Sequence, residues 1–247
     1  MRIRDASSIV LVDNRGSEPL ILMGRRASAH VFMPNVYVFP GGRVDYADRF
    51  VPHTGDYADD TLDLLLQKMA GRTTELRARM FGIAAIRETF EEVGLKIGTK
   101  SDKRIINPSW NAFSKGEILP DLSKLYYLAR AITPPGQKRR YDTRFFTCDV
   151  SDYLETQVAS ESEELEDVQW VSFEDAKSLK MHFITTQIIA TLEEAYASNK
   201  LKAQPETVRF YRAKPKSQGK AKLLTLLRVG SAPHVEGEIQ AEISAIA

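Results

Sequence analysis

The sequence has little of three features that mark common protein classes. Cysteine occurs once, as Cys148, so an internal disulfide scaffold is excluded and a small buried side chain is expected there. No run approaches the roughly 18 apolar residues of a transmembrane helix, and the basic start lacks the long apolar stretch of a secretory signal. The formal net charge of +1 gives no global signature of nucleic-acid or membrane binding. We therefore expect a cytoplasmic protein.

The apolar pattern alternates short β-rich runs with helical stretches, which predicts an α/β (α+β) fold. SIVLV at 8–12 and LILM at 20–23 predict a hairpin across a polar turn. We expect one domain over 1–200 and an extension over 201–247 that forms a hairpin packed on the domain, with the stretch from Ser231 loosely ordered. Further predicted strands are 36–39, 126–133, 143–150, 168–171, 209–211 and 223–229; predicted helices are 61–80, 82–93, 173–179 and 184–197.

The segment GIAAIRETFEEVGL, at 82–95, is the best amphipathic helix in the chain. At about 100° per residue, Ile83, Ile86, Phe90 and Val93 form an apolar face. The opposite face presents three carboxylates to solvent within one turn: Glu88, Glu91 and Glu92. Arg87 lies four residues before Glu91 and is placed to fix its rotamer, and Gly94 is placed to end the helix.

Three like charges on one helical turn repel each other, and a bound cation would offset that cost. Carboxylate oxygens suit Mg²⁺, Mn²⁺ or Ca²⁺ rather than zinc, and Mg²⁺ sites commonly join carboxylates to substrate phosphates and water. The alternative is a solvated acidic face. The ordered pattern Arg-Glu-x-x-Glu-Glu-x-Gly favours the metal site, because the helix, its buried face and its end all agree.

RETFEEVG resembles the second half of the Nudix box, Gly-x5-Glu-x7-Arg-Glu-x2-Glu-Glu-x-Gly. FPGGRVDYAD, at 39–48, resembles its first half, with Asp48 in place of the Glu that follows Gly42 by six positions. The seven residues before the Arg have become 38, from 49 to 86, so the box is split by an insertion. We expect residues 49–80 to form a helical flap or a dimer contact beside the site.

The resemblance implies an α/β/α sandwich around a mixed sheet and a Mg²⁺-dependent diphosphohydrolase, with Mn²⁺ as an alternative metal. It implies that Glu88, Glu91 and Glu92 are metal ligands, joined by a backbone carbonyl near Gly42. The general base in this family is a Glu of the box or of a late loop. The late-loop candidates are Glu161, Glu163, Glu164 and Glu166, of which Glu164 is the best placed. The catalytic residues expected are thus Arg87, Glu88, Glu91, Glu92 and Glu164.

FMP at 32–34, VYVFPGGRVDYAD and RRYDTRFF resemble a subgroup that includes the coenzyme A diphosphatases. The resemblance implies cleavage of coenzyme A or acyl-coenzyme A into phosphopantetheine and 3′,5′-ADP. Arginine suits extra phosphates because of its bidentate fork. The substrate-binding candidates are Arg25, which lies beside Arg26, and Gly41, Gly42, Arg139, Arg140 and Arg144.

Three alternatives remain open. The substrate of the enzyme could be ADP-ribose or a dinucleotide, and the chain could be a Nudix-like module that senses a nucleotide without cutting it. Retention of all three box glutamates favours the enzyme. A nucleic-acid-processing role is disfavoured by the near-neutral charge. The partner expected is therefore a small nucleotide diphosphate, with no membrane contact and with a homodimer left open.

Overall fold

The computed structural model describes residues 2–28, 34–155, 157, 159–198, 203–213 and 222–239. The helices are α1 (Asp59–Leu66), α2 (Glu75–Val93), α3 (Asn111–Lys115), α4 (Phe173–Ala176) and α5 (Phe183–Ala197). The strands are β1 (Arg4–Asp13), β2 (Leu20–Arg26), β3 (Tyr37–Val38), β4 (Gly41–Arg43), β5 (Gly98–Lys100), β6 (Ile118–Pro120), β7 (Tyr126–Ile132), β8 (Tyr141–Asp149), β9 (Leu165–Val171), β10 (Thr207–Ala213), β11 (Lys222–Arg228) and β12 (Ser231–Ile239).

Ten strands of the described residues form one mixed sheet, in the order β12-β11-β10-β7-β8-β1-β2-β3. The remaining two members extend it, β4 beside β1 and β9 beside β2. β1 pairs with β8, and β7 with β10, in parallel, whereas the other pairs are antiparallel. The predicted hairpin is confirmed, with Val12 opposite Ile21. The mixed α+β class predicted from the sequence is therefore the observed one.

Both faces of β1 are buried, which explains its unbroken apolar run. Ile9 and Leu11 point into a core that α1 and α2 complete, while Val10 and Val12 point into a second core against α4 and α5. Successive side chains of a strand point to opposite faces, so an apolar residue is needed at every position when helices cover both. The result is a sheet between two helical layers, with α2 on one face.

The helix that carries the three glutamates is longer than its sequence pattern predicts. We expected one helix over 61–80 and a second from 82, but α1 ends at Leu66 and α2 already begins at Glu75. The break contains Lys68 and Gly71, both at positive φ, and Thr74 then caps α2 by accepting a hydrogen bond from the Arg77 backbone N–H at 3.2 Å. Gly94, at φ 76°, ends α2 as predicted.

Residues 49–80, for which a flap or a dimer contact was expected, contribute side chains to the core below α2. Tyr57 is buried and stacks on Phe146 with ring centroids 5.9 Å apart. Leu64 and Leu65 of α1 are buried in the same cluster. Gly82 makes room for Tyr57, since a Cβ there would lie 2.2 Å from the phenol oxygen. This segment is therefore part of the packing that supports α2.

The chain after α5 returns to the sheet. β10 lies in parallel beside β7, with Phe210 opposite Arg130, and β11 follows it antiparallel. Over residues 231–239 the expectation of loose order was wrong, because β12 pairs with β11 through Val235 and His234. Residues 240–247 lie outside the described part. Among the helices that the structure describes, none is long and apolar enough to cross a membrane.

Candidate active site

The three glutamates of α2 lie in different environments. The Glu91 side chain is 40% exposed and that of Glu88 is 15% exposed, whereas Glu92 is buried. We expected all three to face solvent, and the structure corrects this for Glu88 and Glu92. The reason is tertiary, because β4 and the loop before it lie against this face of α2.

The Gly41–Gly42 segment binds the helix through its backbone. The Gly41 N–H donates a hydrogen bond to Glu92 Oε2 at 2.8 Å. A Cβ on Gly42 would lie 2.4 Å from the Glu88 carboxyl group, so any larger residue there would force that carboxyl group to shift. Pairing of Ser7 with Gly42 and of Ser8 with Gly41 holds the segment to β1. Both glycines thus stand beside the carboxylates, as predicted.

Arg87 is the central cation of the site. Its Nη1 donates to Glu88 Oε1 at 2.8 Å and to Glu91 Oε2 at 3.1 Å, which confirms the predicted pairing with Glu91. Its Nε donates to Asp48 Oδ1 at 3.0 Å, and its Nη2 donates to the Arg43 carbonyl at 3.0 Å. Burial alone would lower the Arg87 pKa, but the Asp48 hydrogen bond and the surrounding carboxylates raise it. Arg87 therefore stays charged and holds three carboxylates together.

Burial also perturbs the glutamates. Burial raises the pKa of Glu92 to about 8, against the lowering effect of the Gly41 N–H. Burial raises the pKa of Glu88 to about 7, although the Arg87 charge opposes the shift. The pKa of Glu91 is raised by burial as well, again against Arg87. Carboxyl groups with such pKa values are stabilised as anions by a nearby cation.

The donor chemistry fits a hard divalent cation. Glu88, Glu91 and Glu92 offer carboxylate oxygens from one helical turn, the ligand type that Mg²⁺ prefers. Within the described part of the chain, no group of three or more His, Cys, Asp or Glu side chains is already arranged to hold a metal ion. The contacts explain this, since Glu88 and Glu91 face Arg87 and Glu92 faces the Gly41 N–H. Metal binding would therefore require these carboxylates to turn from their present partners.

Glu164, on the late loop, acts on this cluster through its charge. It lies just before β9, and its charge acts to raise the pKa values of Glu88, Glu91 and Glu92 alike. The Ala27 N–H donates to its carbonyl at 3.2 Å, which fixes the loop to the end of β2. By contrast, Glu166 is bound to Arg25 at 2.9 Å.

Neighbouring arginines of β2 have different surroundings. Arg25 is paired with Glu166, whereas the charge of Arg26 lowers the pKa of Glu92 and so acts on the carboxylate cluster. Arg25 was the predicted binding residue, and Arg26 was noted only as its neighbour. The signal that would have separated them is strand alternation, since adjacent residues of β2 point to opposite faces.

The other predicted arginines do not come together. Arg144 is fully buried, donates to Asp142 and lies with its guanidinium carbon 4.0 Å from the Phe81 ring centroid. Arg140 Nε donates to the Thr133 carbonyl at 2.9 Å, and Arg139 is exposed. Arg144 therefore supports α2 from below rather than presenting a cation to a ligand.

Comparison with known proteins finds similarity to Nudix proteins in sequence and in fold. A family model described as "NUDIX domain" matches residues 81–192. A Caenorhabditis elegans protein described as "Putative nudix hydrolase 7" is 30% identical over 182 residues, which cover 68% of this chain and 51% of that protein. The chain thus spans about half the length of that relative. The crystal structure of a NUDIX hydrolase from Alicyclobacillus acidocaldarius superposes with a TM-score of 0.61, at 23% identity, over 83% of this chain and 99% of that one. At that identity the superposition shows a common fold.

Proposed function

We infer that the chain is a pyrophosphohydrolase that cleaves a nucleoside diphosphate linked to another moiety, as the match of residues 81–192 to the NUDIX domain model supports. The observation that carries this proposal is the contact between the Gly-Gly segment and the glutamate helix. Gly41 and Gly42 lie against Glu92 and Glu88, and Asp48 is bound to Arg87. These contacts support the view that 39–48 and 87–94 are two halves of one Nudix box, separated by an insertion.

We propose Mg²⁺, with Mn²⁺ as an alternative, as the metal held by Glu88, Glu91 and Glu92 and by a carbonyl near Gly42. When bound, such an ion neutralises the diphosphate and polarises the phosphorus. Arg87 keeps the carboxylates clustered before the metal arrives, since it already contacts Glu88 and Glu91. The segment around Gly41 leaves backbone, rather than side chains, beside the carboxylates, which gives a diphosphate room to approach.

Glu164 is the proposed general base. It is exposed, lies near all three box glutamates and sits on a loop tied to β2. An exposed carboxylate can take a proton from an attacking water, after which in-line displacement gives two phosphorylated products. A Glu of the box remains the competing candidate. In a pH–rate profile, Glu164→Gln should lose the acidic limb, whereas a base within the box would leave that limb in place.

The substrate proposed is coenzyme A or acyl-coenzyme A, which carries a 3′-phosphate beside its diphosphate. Arg139 and Arg140 lie on the turn that leads into β8, close to the start of β1, where the Arg4 N–H donates to the Arg140 carbonyl at 3.0 Å. Arg139 is exposed and can bind a phosphate. ADP-ribose and dinucleotides fit the carboxylate site equally well, because the diphosphate is common to all of them.

The test is a panel of coenzyme A species, ADP-ribose and dinucleotides with Mg²⁺, analysed by mass spectrometry of the products. Coenzyme A hydrolysis with dephospho-coenzyme A about tenfold worse in kcat/KM supports the coenzyme A proposal, since a charge-assisted arginine contact contributes about 1.5–3 kcal/mol. Arg139→Ala should remove that difference and leave hydrolysis intact. Equal rates on both compounds reject the coenzyme A proposal alone, and no hydrolysis of any compound rejects the enzyme.

A further inference from the structure

Two aromatic side chains stand exposed two positions before and two positions after Asp48, which binds Arg87 of the candidate active site. Tyr46 and Phe50 are each 69% exposed, and their rings meet edge to face with centroids 5.7 Å apart. The guanidinium carbon of Arg49 lies 4.8 Å from the Tyr46 ring centroid and 5.0 Å from that of Phe50. Residues Tyr46, Arg49 and Phe50 are called the aromatic–arginine cluster. Rings this exposed gain little from folding, so the fold alone does not account for them.

Arg49 differs from the arginines around it. Among the described residues, no carboxylate lies within ion-pair distance of Arg49, whose guanidinium donates instead to the Tyr46 hydroxyl. Arg43 is paired with Asp45 at 2.9 Å, and Arg79 is paired with Asp56. A guanidinium that lies over two rings and keeps its charge free of carboxylates is suited to planar, electron-rich or anionic ligands.

The cluster is tied to the glutamate helix through Asp48. This residue lies in the same short 3-10 helix, Tyr46–Phe50, and its carboxylate is buried against Arg87. Arg87 in turn holds Glu88 and Glu91. The two rings therefore belong to the same short helix as the side chain that anchors Arg87. A small cavity next to Arg49 is lined by Asp48, Arg49 and His53 and by side chains from the first half of α2.

We propose that the aromatic–arginine cluster is a subsite that stacks the nucleobase of the substrate while its diphosphate lies at the glutamates. This rests on the proposed function, which supplies a substrate with a nucleoside at one end. Bases stack on exposed aromatic rings, and arginine adds a cation–π contribution. The exposed apolar area here is essentially two rings among charged residues. A stable dimer buries on the order of 1,200 Å² or more, so a second copy of the chain is a poorer match.

The experiment compares binding of AMP and ribose 5-phosphate by titration calorimetry. The two compounds share the phosphate and sugar and differ in the base. The wild type should bind AMP about tenfold or more tightly than ribose 5-phosphate, because stacking a base on an aromatic side chain has an effect of that size. Tyr46→Leu and Phe50→Leu should remove most of this advantage and leave ribose 5-phosphate unchanged. Arg49→Gln should reduce it in part.

Two variants provide matched controls. Tyr196→Leu removes an aromatic ring that is 39% exposed on α5, and Arg15→Gln removes an exposed cation on the β1–β2 turn. Both should retain the wild-type preference for AMP. Sedimentation velocity of the same proteins reports whether the rings serve a dimer.

The outcomes separate the inference from the proposed function. An unchanged preference for AMP in both ring variants overturns the inference, as does a wild type without that preference. A dimer that dissociates in the ring variants with AMP binding unchanged also overturns it and assigns the rings to a self-interface. If the preference disappears in the ring variants while the wild type hydrolyses no nucleotide, the subsite stands and the proposed function fails. With an active enzyme, the ring variants should raise KM for the substrate about tenfold and keep kcat within twofold.

Discussion

Replacing Asp48 by Asn tests how the site is held together. Asp48 is 2% exposed and accepts hydrogen bonds from Arg87 Nε at 3.0 Å and from the Asp45 N–H at 2.8 Å. Asparagine keeps the shape but offers one oxygen and one NH₂ group. Its NH₂ must face either Arg87 or the Asp45 N–H, both of which are donors. The variant therefore loses one charge-assisted hydrogen bond and leaves one buried donor poorly paired.

The expected loss in free energy of unfolding is about 2 kcal/mol. A hydrogen bond to a charged group contributes about 1.5–3 kcal/mol, and breaking a buried ion pair can cost about 3–5 kcal/mol. The first of these ranges applies, because Arg87 retains Glu88 and Glu91 as partners and is not left unpaired. For a chain of this size the loss corresponds to a decrease in Tm of about 4–8 °C. Differential scanning fluorimetry measures it.

Activity gives the second measurement for Asp48→Asn. Without Asp48, the Arg87 side chain is free to tilt, and Glu88 and Glu91 move with it, so kcat should fall about tenfold while the helix stays folded. Asp56→Asn is the matched control, since it removes the carboxylate of the more exposed pair with Arg79. That pair should contribute only about 0.2–1 kcal/mol. Equal Tm shifts in the two variants, with normal turnover in Asp48→Asn, would refute the reasoning.

Three further predictions concern the carboxylates themselves. Glu91→Gln and Glu92→Gln should each lower turnover at least about 10²-fold, and EDTA should do the same. The control Glu174→Gln, an exposed change on α4, should leave turnover unchanged. Full activity in both variants contradicts the metal assignment. In EDTA, the free energy of unfolding should fall as pH rises from about 4.5 to about 8, because burial raises the pKa of Glu92 from its ordinary 4.5 to about 8 in the folded protein. Glu92→Gln should reduce that slope in thermal melts at pH 6 and 8.5 but not abolish it, because Glu88 and Glu91 also have raised pKa values; an equal slope in both proteins removes Glu92 as a source. Gly42→Ala should abolish most activity by displacing Glu88, whose carboxyl group would lie 2.4 Å from the new Cβ. A KM and a kcat within twofold of the wild type would show instead that Glu88 has room to move.

Local signals in the sequence were sufficient to predict that the glutamate-bearing helix and the core strands exist. The end of α2 at Gly94 and the β1–β2 hairpin follow from short-range rules on caps and turns. The start of α2 did not, since a Thr cap at position 74 competes with a continuous apolar pattern. Thr74, a residue type that favours the N-cap position, was visible in the sequence. It determined the start of α2 more strongly than the apolar pattern did.

The positions of the charged side chains could be predicted from the sequence only in part. Alternation along β2 and β8 could have assigned Arg26 to the glutamate face and Arg144 to the core, because Phe146, two residues after Arg144, belongs to the same face. No local rule could give the burial of Glu92, since that depends on β4, which lies 51 residues away in sequence. Helical periodicity places a side chain on a face, and only tertiary packing decides whether that face is covered.

The long connection between the two proposed halves of the box destabilises the folded state only slightly. Lengthening the connection from seven residues to the 38 of 49–86 costs about 1.5 kcal/mol in loop-closure entropy, because that entropy grows only with the logarithm of length. The contacts that bring the halves together do not depend on the connection. β4 is fixed by pairing with β1, and Asp48 is fixed by Arg87. A buried charged pair of this kind contributes more than the added entropy costs, and the buried Leu64 and Leu65 of α1 offset that cost further. The proposed insertion, which packs its own apolar side chains beneath α2, would therefore interrupt the motif in sequence without separating its two halves in space.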